Sequence, residues 1–213
     1  MQKSAQLGQA KSGLPFNSAL CLKKNMEIIL IRHGKPVIPP LKKISPFIFK
    51  EWVNSYNASG LCSTSLPTEE ALNIAGKCGA IVCSDLPRSL ESAKALNENK
   101  ITLKSALFNE ADLPISNWRY PSLSPKIWAI FFRMLWFFGY SKNTESFKET
   151  KIRATEAANI LKELAKTNRS VLFVGHGVYN RIVANELNAT GWLGPKSPGS
   201  KHWSYGVYKR KST

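Results

Sequence analysis

The chain is short of acid. Its 213 residues hold 14 Asp and Glu against 30 Lys and Arg, a formal charge of +16 at pH 7. An imbalance of that size points to anionic partners: phosphorylated substrates, nucleic acid or an acidic membrane surface. It excludes little else. No group of carboxylates stands close enough in sequence to hold a magnesium ion, and the four cysteines, Cys21, Cys62, Cys78 and Cys83, form no CxxC pair and lie far from every histidine. Those absences argue against a metal cofactor of either the oxygen-ligated or the zinc type, and the cysteines read as reduced thiols. There is no internal repeat. The first 25 residues contain no apolar run of the length a secretory signal needs, and Met26 stands directly before the first strand-like segment, so residues 1–25 read as a leader, a tag remnant or an over-extended start. They carry Lys3, Lys11, Lys23 and Lys24 and no acid, so removing them still leaves +12 on residues 26–213. The basic character therefore belongs to the domain itself, and a chain of this length with 43% hydrophobic residues is enough for one domain with a sizeable core.

What is present is an alternation of short apolar runs with helical patterns, the signature of an α/β fold with a mostly parallel sheet and crossover helices in three layers. Glu27–Ile31 reads as the first strand. A helix starts at Ser45-Pro46, placing Phe49, Trp52, Val53 and Tyr56 on one face and ending at Gly60. A second amphipathic stretch begins near Thr68, the run 80–84 reads as a strand, "LPRSLESAKAL" as its helix, and Ile101–Leu103 as a weaker strand. A long helix is expected from Glu145 to Lys166, then a buried strand within "SVLFVGHG" (170–177), and "WSYGVY" (203–208) alternates as a final, edge strand.

Two of the buried strands end in the same way. "IILIRHGKP" (28–36) and "VLFVGHG" (171–177) each run from solid apolar residues into a histidine and a glycine. In open parallel sheets, ligands bind beyond the carboxyl ends of the strands. His33 and His176 therefore belong at one pocket, with Gly34 and Gly177 allowing the backbone to approach a ligand and Lys35 at the rim. A neutral imidazole is a nucleophile near pH 7, a second stabilises charge on a transferring phosphoryl group, and Arg32 offers that group a bidentate fork.

With these residues the chain resembles the histidine phosphatase, or phosphoglycerate mutase-like, superfamily, whose hallmark "RHG" follows the first strand. "CSDLPRSLESA" (83–93) is similar to the family's "SSDLxRAxETA" segment, "FNEADLP" to the loop that brings in an acidic proton donor, and "VLFVGHG" to the late strand with a second catalytic histidine. The resemblance implies a three-layer phosphoglycerate mutase-like fold, His33 as the residue that becomes phosphorylated, Arg32, Arg88 and His176 around the phosphoryl oxygens, Glu110 as general acid and base, and no cofactor. Asp112, two residues on, is the other candidate acid. The mutases usually carry a glutamate and then an asparagine after "RHG", where this chain reads "KPVIPP", so a metal-independent phosphomonoesterase of the histidine acid phosphatase type is expected ahead of a phosphoglycerate mutase-type phosphotransferase. A non-catalytic basic module for acidic lipid or nucleic acid is the reading from another class, although no nucleic-acid motif is found.

Residues 114–143 match no part of that pattern. Within them "SPKIWAIFFRMLWFFGY" reads as a helix begun by Ser124-Pro125 and stopped by Gly139, with Lys126 and Arg133 on one face. The run is too short to span a bilayer, which leaves a cover for the core, a lid, a surface for homo-oligomer formation, or peripheral membrane contact through residues 124–140. A small phosphorylated substrate and a cytoplasmic location, with or without that membrane contact, complete the expectation.

Overall fold

The computed structural model describes residues 26–40 and 42–210. The expected leader at residues 1–25, and Cys21 with it, lies outside the described residues. The elements in order are β1 (Glu27–Arg32), α1 (Pro46–Asn57), α2 (Glu69–Lys77), β2 (Ala80–Cys83), α3 (Pro87–Asn97), β3 (Ile101–Lys104), α4 (Pro125–Phe137), α5 (Phe147–Asn168), β4 (Ser170–Gly175), α6 (Gly177–Ala189), β5 (Trp192–Leu193) and β6 (Tyr205–Arg210). They form a mixed α/β fold around one six-stranded sheet in the order β3-β2-β4-β1-β6-β5.

Strands β3, β2, β4 and β1 run parallel, and their carboxyl ends meet at one edge of the sheet. The solid apolar runs follow from burial on both faces, because successive side chains point to opposite sides. Ile28, Leu30, Val171 and Phe173 face α5 and α6, packing on Ala154, Ala157, Ala158 and Leu161. Ile29, Ile31, Leu172 and Val174 face the opposite way, onto Ala71 and Ala75 of α2 and Ala93 and Leu96 of α3. The small alanines let these helices approach the sheet closely.

Local chemistry sets the helix starts. Ser45 caps α1 and Thr68 caps α2 through their hydroxyls, while Ser146 and Glu149 close a reciprocal capping box on α5. Helix α5 occupies Phe147–Asn168 rather than 145–166, because that box fixes its start at Ser146.

Two expectations are corrected by the sheet. The segment read as a final edge strand pairs antiparallel with β1 on one side and β5 on the other, so β6 is interior. The edge is the two-residue β5, too short to leave any periodic signal. Helix α1 stops at Asn57, before the glycine expected to end it.

Helix α4 does start at Ser124-Pro125, and Gly139, at φ +97°, turns the chain away while Tyr140 donates back to the Leu135 carbonyl at 3.0 Å. It sits on α1 through a small separate core in which Phe132 stacks on Phe49 and on Trp128, with ring centroids 5.6 Å apart in each pair. Among the described residues, no helix is long and apolar enough to cross a membrane.

Candidate active site

Beyond the carboxyl ends of β1 and β4 the two expected histidines meet, with ring centroids 5.0 Å apart. The pairing is fixed from behind. Asn180 of α6 accepts from the His176 amide through Oδ1 at 3.1 Å and donates Nδ2 to the Ile31 carbonyl at 3.0 Å, tying the two strand ends together. Ser92 accepts from the Gly34 amide at 2.9 Å, and Ser89 accepts from the Ser84 amide at 3.1 Å while donating to the Val174 carbonyl at 2.6 Å. Helix α3 thus uses two buried hydroxyls to hold both site loops. Sequence reasoning missed these three residues: Ser89 and Ser92 lie within the segment 83–93 that carries the resemblance, but nothing in it shows what their hydroxyls hold, and Asn180 lies outside every motif.

The tautomer of His33 follows from its surroundings. Nδ1 lies 2.6 Å from the Gly34 carbonyl, which can only accept, so Nδ1 carries the proton and the lone pair of the neutral ring sits on Nε2. His176 Nε2 lies 2.8 Å from the Ser84 hydroxyl, and its Nδ1 has no partner within the protein. The same is true of Arg32 Nε and Arg88 Nε, both buried atoms. Arg88, 1% exposed, is otherwise held by the Tyr56 carbonyl at 3.3 Å and Asn57 Oδ1 at 3.2 Å, with its guanidinium 4.7 Å from the centroid of the Tyr56 ring.

Burial, then the charges of Arg88 and Arg32, hold His33 well below the usual histidine range. Burial, then His33, Arg88 and Arg32, do the same for His176. The unfolded chain takes up protons at both rings near pH 6.5 while the folded chain does not, so stability is intact above that pH and is lost as pH falls below it. Each ring contributes a slope of about 1.4 kcal/mol per pH unit until its folded pKa is reached. Urea titrations on the acid side of pH 6.5 are expected to show this loss, and His176→Asn is expected to flatten it by about one such increment. Equal slopes in the two proteins would show that His176 titrates normally.

The arginines open onto a cavity of about 580 Å³, lined by Arg32, Arg88, Glu110, Asp112, Arg133 and His202 among others. Both candidate acids reach it, in different states. Glu110 accepts at Oε1 from the Tyr179 amide at 2.8 Å and the Ala111 amide at 3.1 Å, and at Oε2 from the Val178 amide at 3.1 Å, which binds it to the first turn of α6. Asp112 is exposed by surface area but stands in the cavity wall, where the surrounding protein and then the charge of Glu145 raise its pKa. Lys126 and Arg133 of α4 also line the cavity, as their shared face implies, and Arg133 donates to the Ala111 carbonyl at 2.6 Å.

Of the expected site residues, Arg32, Arg88 and Glu110 line the cavity, while His33, His176, Gly34, Lys35 and Gly177 are not among its lining residues. A methyl group on Gly34 would stand 2.4 Å from Trp203 Cζ2 and 2.5 Å from Leu61 Cδ1, so close packing behind the site requires this glycine, rather than approach to a ligand. One on Gly177 would meet the Arg32 guanidinium at an ordinary 3.6 Å. Lys35 points to solvent, its backbone amide donating to Ser65 at 2.7 Å. His202, which no motif marks, joins the site: its ring centroid is 5.5 Å from that of His33, and its Nδ1 lies 3.1 Å from the His33 carbonyl. All three histidines of the chain therefore converge. Among the described residues, no group of three or more His, Cys, Asp or Glu is placed to hold a metal ion.

The sequence pattern of the Histidine phosphatase superfamily (branch 1) matches residues 70–200. The chain belongs to this superfamily. The matched span contains Arg88, Glu110 and His176, while Arg32 and His33 precede it. No curated protein matches the chain. Solved structures with the same fold include the product of open reading frame Rv3214 of Mycobacterium tuberculosis (19% identity, TM-score 0.56, 88% of this chain and 96% of that one). A mycobacterial glucosyl-3-phosphoglycerate phosphatase (18%, 0.53, 86% and 89%) and a phosphoglycerate mutase from Bacillus anthracis (17%, 0.55, 89% and 93%) are similar in the same way. At these identities the likeness is one of fold. Membership of the histidine phosphatase superfamily makes phosphoryl transfer the general chemistry of the chain.

Proposed function

We propose that the protein is a phosphomonoester hydrolase that works through a phosphohistidine on His33 and needs no metal. The observation that carries this reading is the set of three buried nitrogens, Arg32 Nε, Arg88 Nε and His176 Nδ1, that have no partner in the protein and belong to the groups next to the neutral His33 ring: the His176 ring centroid is 5.0 Å away, and the charges of Arg88 and Arg32 both act on His33. A buried donor left unpaired costs about 1–3 kcal/mol, which the oxygens of a phosphoryl group would recover.

In the first step His33 Nε2 attacks phosphorus, the P–N bond forms as the ester P–O bond breaks, and the leaving oxygen takes a proton from a carboxylic acid. In the second, water attacks the phosphohistidine and gives its proton to the same carboxylate; the P–N bond breaks and inorganic phosphate leaves. The positive groups hold the equatorial oxygens through both steps, the part that metal ions play in many phosphoryl-transfer enzymes. A mutase-type reaction would differ only in the acceptor, a substrate hydroxyl in place of water.

Glu110 is the acid in this scheme, with Asp112 as its rival. Glu110→Gln and Asp112→Asn, assayed with chelator present, separate them. An aryl phosphate with an acidic phenol departs without help, whereas an alkyl phosphate needs its leaving oxygen protonated. Glu110→Gln is expected to lower turnover of the alkyl ester by about 10²–10⁴-fold and to spare the aryl ester far more. The same pattern from Asp112→Asn instead would move the role to Asp112, and loss of wild-type turnover on chelation would end the metal-free reading. Free, buried thiols at Cys78 and Cys83, pushed up to about 11 by burial, support the reducing cytoplasm as the place of action.

A further inference from the structure

We propose that the outer face of α4 docks on the surface of an anionic phospholipid bilayer. Apart from Lys126 and Arg133, which line the cavity, helix α4 is apolar, and the fold buries only one side of it. Trp128, Phe132 and Trp136 are buried, while Ile127, Ile130, Phe131, Met134 and Phe137 recur at helical spacing on the side facing water, with Ile130 at 67% exposure. Phe138 just beyond the helix is 82% exposed. A helix with this pattern is normally buried on both sides or lies at a membrane surface.

The patch extends past the helix. The Trp118 ring, half exposed, lies 6.3 Å from that of Phe131, and its carbonyl accepts from the amide of Phe47, which is also exposed. An indole and a phenyl ring beside aliphatic side chains are the residues that seat in the headgroup region.

Charge chooses the occupant. From Leu113 to Thr144 the chain carries no acid: Lys126 and Arg133 stand in the cavity wall, Arg119 and Lys142 are exposed, and Lys42 and Lys43 just before α1 and Lys50 within it outnumber the one neighbouring acid, Glu51. A second copy of this chain would bring the same positive charge against the patch, whereas anionic headgroups neutralise it. The apolar stripe supplies the rest of the attachment by burial. Because Lys126 and Ala129 of the same helix line the cavity, a docked molecule holds its cavity within about one helix diameter, ~10 Å, of the lipid.

The test is sedimentation of the full chain with vesicles of phosphatidylcholine alone and of phosphatidylcholine with phosphatidylglycerol. Binding to the second only is expected, weakened by salt and reduced at least about tenfold in I130E/F131E/M134E. These three residues do not line the cavity and are exposed, so the variant is expected to keep the far-UV circular dichroism and thermal transition of the wild type, which report that it is folded. Quenching of wild-type tryptophan fluorescence by brominated anionic lipid is the second reading, and it needs no variant. Failure of the wild type to bind anionic vesicles, binding that survives in the triple variant, or a concentration-dependent dimer formed without vesicle binding would each overturn the proposal. None of these outcomes depends on the phosphatase reading.

Discussion

Replacing His33 by alanine is expected to lower kcat for aryl phosphate hydrolysis by about four orders of magnitude or more, because in the proposed mechanism its ring forms the covalent intermediate. The loss should be chemical and not structural. His33 is 2% exposed and makes one side-chain hydrogen bond, to the carbonyl of its own neighbour Gly34, so the fold rests little on its ring. Rapid acid-free quenching after labelled substrate is added should trap label on the wild-type chain, stable to base and lost in acid, and none on His33→Ala. Label retained by the variant would place the nucleophile elsewhere; His176 and His202 are the only other histidines. The depressed pKa of His33 also fixes the sign of the pH dependence. Its ring stays unprotonated as pH falls through the ordinary histidine range, so the nucleophile's acid limb in kcat/KM belongs well below pH 6.5.

Arg88→Lys is expected to cost about 10²–10³-fold in kcat/KM although it conserves charge. The guanidinium does three things at once: it donates to the Tyr56 carbonyl and to Asn57 on α1, lies over the Tyr56 ring, and keeps Nε unpartnered beside the histidine pair. An ammonium is a point charge without that planar fork, so it can satisfy α1 or the phosphoryl oxygens and not both. Inhibition by inorganic phosphate should weaken along with turnover. Arg133→Lys is the control. Arg133 lines the same cavity, but its fork is committed to the Ala111 and Asp112 carbonyls, so its replacement should change turnover far less. Equal losses from both would mean that the cavity binds by diffuse charge alone.

The two acids illustrate how far neighbouring residues in a sequence diverge once folded. "FNEADLP" brings both Glu110 and Asp112 to the cavity, as its place after β3 implies. Nothing in those letters says that Glu110 will be bound at both oxygens by the first turn of α6, or that Asp112 will stand beside Glu145 with a raised pKa. The partners come from residues 178 and 179 and from residue 145, and only the packing of α5 and α6 on one face of the sheet brings them in.

The sequence by itself determined the parallel core, because strands buried on both faces must be apolar at every position, and that continuity is visible without coordinates. It also determined that His33 and His176 would meet beyond the carboxyl ends of two parallel strands, since each follows directly on a buried apolar run. Local capping chemistry placed the starts of α1, α2 and α4 for the same reason: a hydroxyl or proline acts on amides within its own turn. Tertiary structure alone decided the rest. His202, Asn180, Ser89 and Ser92 enter the site through contacts made across large sequence separations, and β6 becomes interior because a two-residue strand closes the edge. It also decided which apolar side of α4 is buried: Lys126 and Arg133 mark one face in the sequence, but the rest is apolar, and only the position of α1 leaves the stripe of Ile130 and Phe131 facing water.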